Sequence, residues 1–171
     1  RGKTAIVTGS SMGLGLAVAK ELAREGCNVT ICSRGEEALF AAQKEIQAQA
    51  DGAQVHAVMT DMERSEDINR LVSETVDRFG TVHILVNNAG TSITKDFLDV
   101  EREDWTKIFQ MIIVGASEAS KLVIPYMQKQ KWGRIINVGS ASSKQPRPRR
   151  VLSNTAKTAL LSFTKTLARE F

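Results

Sequence analysis

The sequence predicts a doubly wound α/β fold, in which helices cover both faces of a parallel sheet. Three observations support this prediction. Short segments that are typical of buried strands alternate with helical patterns along the chain. Strands that are apolar throughout are typical of parallel sheets covered on both faces. The length of 171 residues, 42% of them hydrophobic, is enough for one core, so we expect residues 1–171 to form a single domain.

Five strands are predicted, each from a short run of apolar and β-branched residues. The first lies directly after the start of the chain, and the others each follow a helical segment. Their predicted bounds are Thr4–Thr8, Val29–Ser33, Val55–Met59, Ile84–Val86 and Ile135–Val138.

The helices are predicted from apolar stripes at helical spacing. The first follows a glycine-rich turn, ends at Gly26 and carries an apolar face made of Leu14, Ala17, Val18 and Leu22. The second, rich in Ala and Gln, runs from Glu36 to about Gln49, and the third runs from about Ser65 to Gly80. A long helix from about Asp104 to Gln130 is expected to bend near Pro125, and the last helix covers Thr155 to Phe171.

Ligands of doubly wound sheets bind at the carboxyl ends of the strands, near the point where the strand order reverses. The turn after the first strand contains Gly9, Gly13 and Gly15. Gly9 permits a tight turn, and the other two glycines leave room for a diphosphate near the backbone amides of the helix start. Such a turn can also be only a turn, so it is a weak signal by itself.

Four motifs in order resemble the short-chain dehydrogenase/reductase family, and most closely its branch of 3-oxoacyl-acyl carrier protein reductases. They are the Thr-Gly-x-x-x-Gly-x-Gly turn that starts at Thr8, Asp61 after the third strand, Asn87-Asn88-Ala89-Gly90 after the fourth, and Gly133 to Ser140 around the fifth. The resemblance covers essentially the whole chain. It implies a Rossmann-type fold, a nicotinamide dinucleotide cofactor and hydride transfer to a carbonyl, such as a 3-oxoacyl thioester or another ketone.

The resemblance also implies which residues bind the cofactor. The pyrophosphate would lie on the turn, and the adenine would lie near Asp61 and Met62, with Asn87, Ala89 and Gly90 on the adenosine and ribose side. The implied residues of the turn are Gly9, Ser11, Met12, Gly13, Leu14 and Gly15.

The end of the second strand predicts which cofactor is preferred. A carboxylate there would bind the ribose 2′-hydroxyl of NAD(H), but this chain has Ser33 and Arg34, which can bind a 2′-phosphate. We therefore predict a preference for NADP(H), with NAD(H) as the second possibility. The alternative is that Arg34 is an ordinary solvated residue at a helix start.

The catalytic residues depart from the family pattern. The family's serine and lysine match Ser140 and Lys157, but its tyrosine, four residues before the lysine, is replaced by Ser153. The position of its asparagine corresponds to Ile112. The only tyrosine of the chain, Tyr126, lies in the long helix and is expected to have a packing role.

These departures leave several functions open. The protein could be a reductase that uses Ser140, Lys157, Ser153, water or a substrate group for proton transfer. It could instead be a catalytically impaired NADP(H) sensor or a non-catalytic subunit. A serine hydrolase based on Ser153 and Lys157 is disfavoured, because the chain has no G-x-S-x-G elbow.

Positive charge is concentrated after the fifth strand, at Lys144, Arg147, Arg149 and Arg150, and the net charge of the chain is +4. The loop is expected to attract an anionic substrate or simply to be solvated. Nucleic acid is disfavoured as a partner, because no broad basic stripe with aromatic residues is present.

Further expectations concern metal sites, the location of the protein and its assembly. Cys27 and Cys32 show no disulfide or metal pattern, so no metal site is predicted and a cytoplasmic location is favoured. No apolar run approaches the ~20 residues of a membrane span. The resemblance implies a homodimer or homotetramer built on the two long helices. It also implies that the chain is truncated, because family members continue into further strands.

Overall fold

The computed structural model describes residues 1–171 and contains five strands. They are β1 (Thr4–Thr8), β2 (Asn28–Ser33), β3 (Val55–Met59), β4 (Ile84–Asn87) and β5 (Arg134–Asn137). All neighbouring pairs are parallel, in the order β3-β2-β1-β4-β5. The strand order reverses between β1 and β4, so the crevice that binds ligands in such folds lies at the carboxyl ends of these two strands. The predicted doubly wound Rossmann-type fold is confirmed.

Six α-helices connect and cover the strands. They are α1 (Gly13–Arg24), α2 (Glu36–Gln47), α3 (Ser65–Phe79), α4 (Arg102–Phe109), α5 (Gly115–Lys129) and α6 (Val151–Glu170). The helix α6 begins four residues earlier than the predicted Thr155, so Ser153 lies in its first turn. Short 3₁₀ turns lie at Phe97–Asp99 and Ala141–Ser143.

Burial decreases from the centre of the sheet to its edges. Every residue of β1 is buried, and four of the six residues of β2 are buried. In β3 only Val55 and Val58 are buried, and in the edge strand β5 no residue is. Our expectation of strands apolar throughout therefore holds best for the central strands, because only these are covered on both faces.

The buried face of α1 differs from the predicted one. Leu14 is 58% exposed, and the fully buried positions of the helix are Gly15, Ala19 and Ala23. These residues are small, so the helix packs close to the sheet, and the turn before it is held close to β1. The predicted apolar face was wrong at Leu14 and Ala17, which are exposed, because the face that packs against the sheet is the stripe of Gly15, Ala19 and Ala23.

The predicted long helix is interrupted, but not near Pro125. A π-helical segment at Gln110–Val114 separates α4 from α5, and Pro125 lies inside the continuous α5. The helix α4 begins at Arg102, slightly before the predicted start at Asp104, because Glu101 and Asp104 form a capping box there. Single π-helical turns inside α-helices occur frequently at functional sites.

The stretch Arg102–Lys129 is, by length and composition, long and apolar enough to cross a membrane, with a mean hydropathy of 1.3. We had expected no such segment, because it contains no unbroken apolar run. Core helices of soluble proteins have the same composition, and here Ala119 and Val123 pack against α3 and the sheet with no exposed surface. The expectation of no membrane partner stays a prediction.

Beside the edge strand β5 lies an open groove of about 730 Å³ between α5 and α6. Its lining includes Met127, Trp132 and Phe171. The groove lies on the far side of β5 from β4, at a distance from the switch point between β1 and β4.

Candidate functional site

The carboxyl ends of β1 and β4 are tied together by Thr8 and Asn88. Thr8 Oγ1 accepts hydrogen bonds from the backbone N–H groups of Asn88 (3.0 Å) and Ala89 (2.9 Å). In the other direction, Asn88 Nδ2 donates to the carbonyl oxygens of Thr8 and Gly9, both at 2.9 Å. These bonds fix the turn after β1 against the turn after β4, at the predicted position of the ligand.

The glycine-rich turn requires glycine for reasons visible in the structure. Gly9 has a φ of +62°, and a Cβ there would lie 2.8 Å from Ala89 Cα. A Cβ on Gly15 would lie 2.5 Å from Asn88 Nδ2 and closer still to the carbonyl oxygen of Gly9. Gly13 differs, because its φ is +59° but a Cβ there would meet nothing within 4 Å.

The helix α1 starts in this turn without a side-chain cap. Its N-cap residue is Met12, whose side chain makes no hydrogen bond to the first turn. The unpaired N–H groups and the positive end of the helix dipole therefore face the open space beside Gly13. A diphosphate group fits this cradle in both charge and size.

A pocket of about 330 Å³ opens beside the turn. Many of the predicted cofactor residues line it: Gly9, Ser11, Met12, Ser33, Arg34, Asp61, Met62, Ala89 and Gly90. The sequence did not single out the other lining residues: Cys32, Gly35, Ala38, Thr60 and Met111. Cys32 and Thr60 end or follow predicted strands, so their place in the fold could have indicated them. Met111 lies in the π-helical segment, which no sequence pattern indicates.

Five predicted cofactor residues do not line this pocket. Gly13, Leu14 and Gly15 belong to the cradle at the start of α1, and Lys157 lies beyond Gly90. Asn87 is directed into the protein, with its Nδ2 donating to Asn137 Oδ1 (2.8 Å) and Ser120 Oγ (3.3 Å). Its side chain therefore joins β4, β5 and α5, and a direct role in cofactor binding stays a prediction.

Arg34 lines the pocket directly after β2. Its side chain is 62% exposed, and its Nη1 is 3.9 Å from Glu63 Oε1. The guanidinium group is therefore free to turn toward a bound phosphate. Glu63 was not identified from the sequence, since it follows the motif residue Asp61 without belonging to a motif itself.

Lys157 connects the cofactor pocket to the catalytic region. Its Nζ donates a hydrogen bond of 2.7 Å to the carbonyl oxygen of Val138. The same Nζ would be 3.5 Å from a Cβ on Gly90, so it lies beside the pocket wall. No carboxylate lies within salt-bridge distance of it, and burial lowers the pKa of its ammonium group.

Ser153 and Ile112 lie where the family resemblance places a tyrosine and an asparagine. Ser153 is 7% exposed and its Oγ donates to Ser92 Oγ at 3.3 Å. Ile112 is 2% exposed and packs with Leu152 and Ala156. A Cβ on Gly90 would be 3.8 Å from Ile112 Cγ1, so the isoleucine lies on the same side of Gly90 as Lys157.

Ser140 has a different environment from Ser153. It caps the 3₁₀ turn after β5, and its Oγ accepts hydrogen bonds from Ser142 N (3.2 Å) and Ser142 Oγ (2.9 Å). The residue is exposed, which leaves its hydroxyl accessible from the solvent side of the loop. None of the hydrogen bonds joins it to Ser153 or Lys157.

The basic loop is fastened to the loop after β4. Arg149 Nε is 2.8 Å from Asp96 Oδ1, and the Arg149 carbonyl oxygen accepts from the Lys95 N–H at 3.0 Å. Arg147 and Arg150 are exposed and form no ion pair. One of the three arginines therefore has a structural partner, and the other two remain available to an anion.

A doubly wound sheet with a glycine-rich turn at its switch point defines a dinucleotide-binding domain. The model of the short chain dehydrogenase family matches residues 3–171, and the chain belongs to this family. It is 35% identical over 170 residues to a 3-oxoacyl-[acyl-carrier-protein] reductase from Aquifex aeolicus, an alignment that covers 99% of this chain and 68% of the relative.

Solved structures give the same result. The L-sorbose reductase of Gluconobacter frateurii, complexed with NADPH and L-sorbose, superposes with a TM-score of 0.95 at 32% identity, over 98% of this chain and 64% of that one. An NAD⁺-bound xylitol dehydrogenase superposes with a TM-score of 0.93 at 29% identity, over 99% and 65%. The chain thus spans about two thirds of the length of these relatives. Both nicotinamide cofactors occur among its structural neighbours.

Proposed function

We propose that the chain is the cofactor-binding and catalytic part of an NADP(H)-dependent oxidoreductase that reduces a ketone or oxidises the corresponding alcohol. The observation that carries this proposal is the position of Lys157. Its ammonium group lies between Gly90 in the pocket wall and the carbonyl oxygen of Val138 at the end of β5, with no carboxylate partner. A cation held there can serve both cofactor and substrate.

The residues of the pocket fit a nicotinamide dinucleotide. Gly13 and the uncapped start of α1 form a cradle for its diphosphate, and Arg34 supplies a guanidinium group for a 2′-phosphate. When bound, the nicotinamide supplies or accepts the hydride. The preference for NADP(H) is supported by Arg34 and by the absence of a carboxylate at the end of β2, where Ser33 stands.

The protein must also supply a proton. When a ketone is reduced, its carbon receives a hydride and its oxygen a proton. Serine is a far weaker acid than tyrosine, and Ser153 is committed to Ser92. Lys157 has an N–H group and a lowered pKa, so we assign the proton donation to its ammonium group. The neutral amine is then protonated again from water.

The substrate class follows from the basic loop. Arg147 and Arg150 are exposed beside the catalytic region and carry no ion pair, so they favour an anionic substrate. The Aquifex relative is named for a 3-oxoacyl-[acyl-carrier-protein] substrate, and a 3-oxoacyl group on an anionic carrier would suit the two arginines. A small neutral ketone would make no use of the two arginines.

A second function is favoured by Ser153 and Ile112. The hydroxyl of Ser153 is satisfied by Ser92, and Ile112 is packed in a core cluster, so neither is poised for proton transfer. A protein that binds NADP(H) without turnover, as a sensor or a non-catalytic subunit, would keep the cofactor pocket and could retain Lys157 for the ribose.

Turnover separates the two functions. Purified protein is mixed with NADPH and a panel of 3-oxoacyl thioesters, ketones and quinones, and oxidation is followed by absorbance. The reductase predicts oxidation with at least one substrate, lowered about 10²- to 10⁴-fold in Lys157→Met. The matched control is Lys165→Met, since Lys165 is an exposed lysine of the same helix. Saturable binding of NADPH without turnover for any substrate would favour the sensor.

We also propose a cytoplasmic homo-oligomer. Support comes from Val114 and Leu161, which are 36% and 39% exposed apolar residues on the long helical elements. Sedimentation of the wild type and of Leu161→Glu checks this proposal, and a monomeric wild type would contradict it.

A further inference from the structure

A carboxylate lies at the adenosine end of the pocket, at a place the proposed function does not use. Glu63 follows the lining residues Asp61 and Met62, and its side chain is only 24% exposed. Its Oε1 is buried and has no hydrogen-bond partner. A buried charged oxygen without a hydrogen bond is energetically costly, so its presence calls for an explanation.

The backbone around Glu63 is fixed. Its N–H donates to Asp61 Oδ1 at 3.0 Å, and the N–H of Asp61 donates to Asp67 Oδ2 at 2.9 Å. These two bonds hold the turn after β3 against the start of α3. The carboxylate of Glu63 therefore starts from a rigid position beside the pocket.

The group that faces this carboxylate is Arg34. The distance of 3.9 Å between Arg34 Nη1 and Glu63 Oε1 is too long for a hydrogen bond but within salt-bridge distance, so the two charges attract each other. No other carboxylate is within salt-bridge distance of Arg34. The guanidinium group assigned to the 2′-phosphate is thus already drawn toward Glu63.

We propose that Glu63 sets the discrimination between NADP(H) and NAD(H) by opposing the 2′-phosphate at Arg34. This inference rests on the proposed function, because it requires a nicotinamide dinucleotide in the pocket. A phosphate bound to Arg34 must draw the guanidinium group away from Glu63 and also lies within reach of the negative charge of Glu63. NAD(H) has no 2′-phosphate, so its binding neither draws Arg34 away from Glu63 nor is opposed by the charge of Glu63.

The size of the effect follows from the exposure of Arg34. Attraction between partly exposed charges is weakened by water and by salt, and such pairs contribute little each. The repulsion of a doubly charged phosphate adds to the lost attraction. We expect the removal of the charge of Glu63 to strengthen NADP⁺ binding about three- to tenfold at low salt, and to leave NAD⁺ binding nearly unchanged.

Calorimetric titration with NADP⁺ and NAD⁺ tests this without any need for turnover. Glu63→Gln keeps the size of the side chain and removes its charge. The matched control is Glu66→Gln, which makes the same charge change at an exposed residue 4.0 Å from Arg64. We expect Glu63→Gln to raise the ratio of NADP⁺ to NAD⁺ affinity, with a smaller rise at high salt, and Glu66→Gln to leave it unchanged.

Arg34→Ala separates the failure of this inference from the failure of the proposed function. If Arg34→Ala lowers the affinity ratio but Glu63→Gln does not change it, the role of Glu63 is refuted and the proposed NADP(H) preference stands. If Glu63→Gln strengthens both cofactors equally, Glu63 acts on a shared part of the cofactor and the inference is also refuted. An affinity ratio unchanged by Arg34→Ala would contradict the proposed preference itself.

Discussion

One half of the candidate site is formed mainly by backbone groups and the other half by side chains. The half after β1, β3 and β4 is made largely of backbone: a glycine turn, an uncapped helix start and loops tied by Thr8 and Asn88. The other half depends on four side chains from three places: Ser140 after β5, Ile112 in the π-helical segment, and Ser153 and Lys157 in α6. In the first half every family motif is present, and in the second half Ser153 and Ile112 replace two of the four residues that the resemblance implies.

The difference shows how each half tolerates substitution. A Cβ on Gly9 or Gly15 would overlap backbone atoms, so a substitution there disturbs the fold itself. Ser153 and Ile112 instead lie in well-packed surroundings, with Ile112 contributing to a core cluster. The catalytic half can therefore lose its usual chemistry while the helices that carry it stay folded.

The largest effect is expected from Ser153→Tyr. A phenol at this position, beside the cation of Lys157, restores an acid with a suitable pKa, and general acids contribute about 10²- to 10⁴-fold to such rates. We expect NADPH oxidation with a responsive ketone to rise within this range.

Ser153→Phe is the control for Ser153→Tyr, since it introduces the same ring without the hydroxyl group. Both variants lose the hydrogen bond to Ser92. Equal rates in the two variants would show that a phenolic hydroxyl at this position does not speed the reaction, and would weaken the contrast between the halves.

The next effect is expected in the cofactor half, from Gly15→Ala. The added Cβ would collide with the Gly9 carbonyl oxygen and Asn88 Nδ2, so the turn must shift. We expect a loss of about 2–3 kcal/mol in the free energy of unfolding, and NADPH affinity about tenfold lower or worse. Chemical denaturation measures the free energy of unfolding, and calorimetric titration measures the NADPH affinity. Gly35→Ala, where a Cβ meets nothing within 4 Å, should leave the free energy of unfolding nearly unchanged, and equal losses of unfolding free energy in both variants would contradict this account.

A smaller effect is expected from the titration of Lys157. Above its pKa, the rate of ketone reduction should fall about tenfold per pH unit. Burial lowers its pKa, and only the ammonium form donates a proton. The rate of ketone reduction should therefore fall as the pH rises through that lowered pKa, below the ordinary value of about 10.4. A pH profile of kcat/KM that does not change in Lys157→Met would contradict the assignment of the proton donor.

The same lowered pKa gives stability a pH dependence opposite to that of the reduction rate. The folded state binds fewer protons at Lys157 than the unfolded state, so stability rises as the pH rises from the folded toward the unfolded pKa. The free energy of unfolding of the wild type should therefore rise relative to that of Lys157→Met as the pH rises between these two pKa values, and a difference that does not change with pH would contradict this assignment.

The smallest effect is expected from Asp67→Ala. Asp67 accepts the N–H of Asp61, which lowers the pKa of its carboxyl group, and Arg70 adds to the lowering. We expect a loss of about 1 kcal/mol in the free energy of unfolding at pH 7. Because the folded pKa is lowered, this contribution is present above pH ~4 and disappears as the pH falls below it. Asp77→Ala, at an exposed position of the same helix, should show no such pH-dependent difference from the wild type.

The strands and most helix positions could be predicted because hydrophobic periodicity reports directly on burial. The glycine turn could be located for a related reason, since its conformation depends on residues close in sequence. The predictions were wrong where contacts between elements distant in the sequence determine the local structure. Leu14 fits an apolar stripe but is exposed, and the π-helical segment at Gln110–Val114 depends on packing rather than on any local breaker.

The side-chain contacts of the site were harder to predict than its motifs. The bonds between Ser153 and Ser92 and between Arg149 and Asp96 join segments that are more than fifty residues apart. Glu63 meets Arg34 only because β2 and β3 are neighbours in the sheet. Such pairs appear only when the strand order and the loop conformations are both known.

Calorimetric titration of the purified protein with NADPH and with NADH tests the central claim most directly, namely that the cofactor half is intact although the catalytic half is altered. The account predicts saturable binding of one NADPH per chain, tighter than the binding of NADH, whether or not any substrate is turned over. No saturable binding of either cofactor, or tighter binding of NADH, would contradict it.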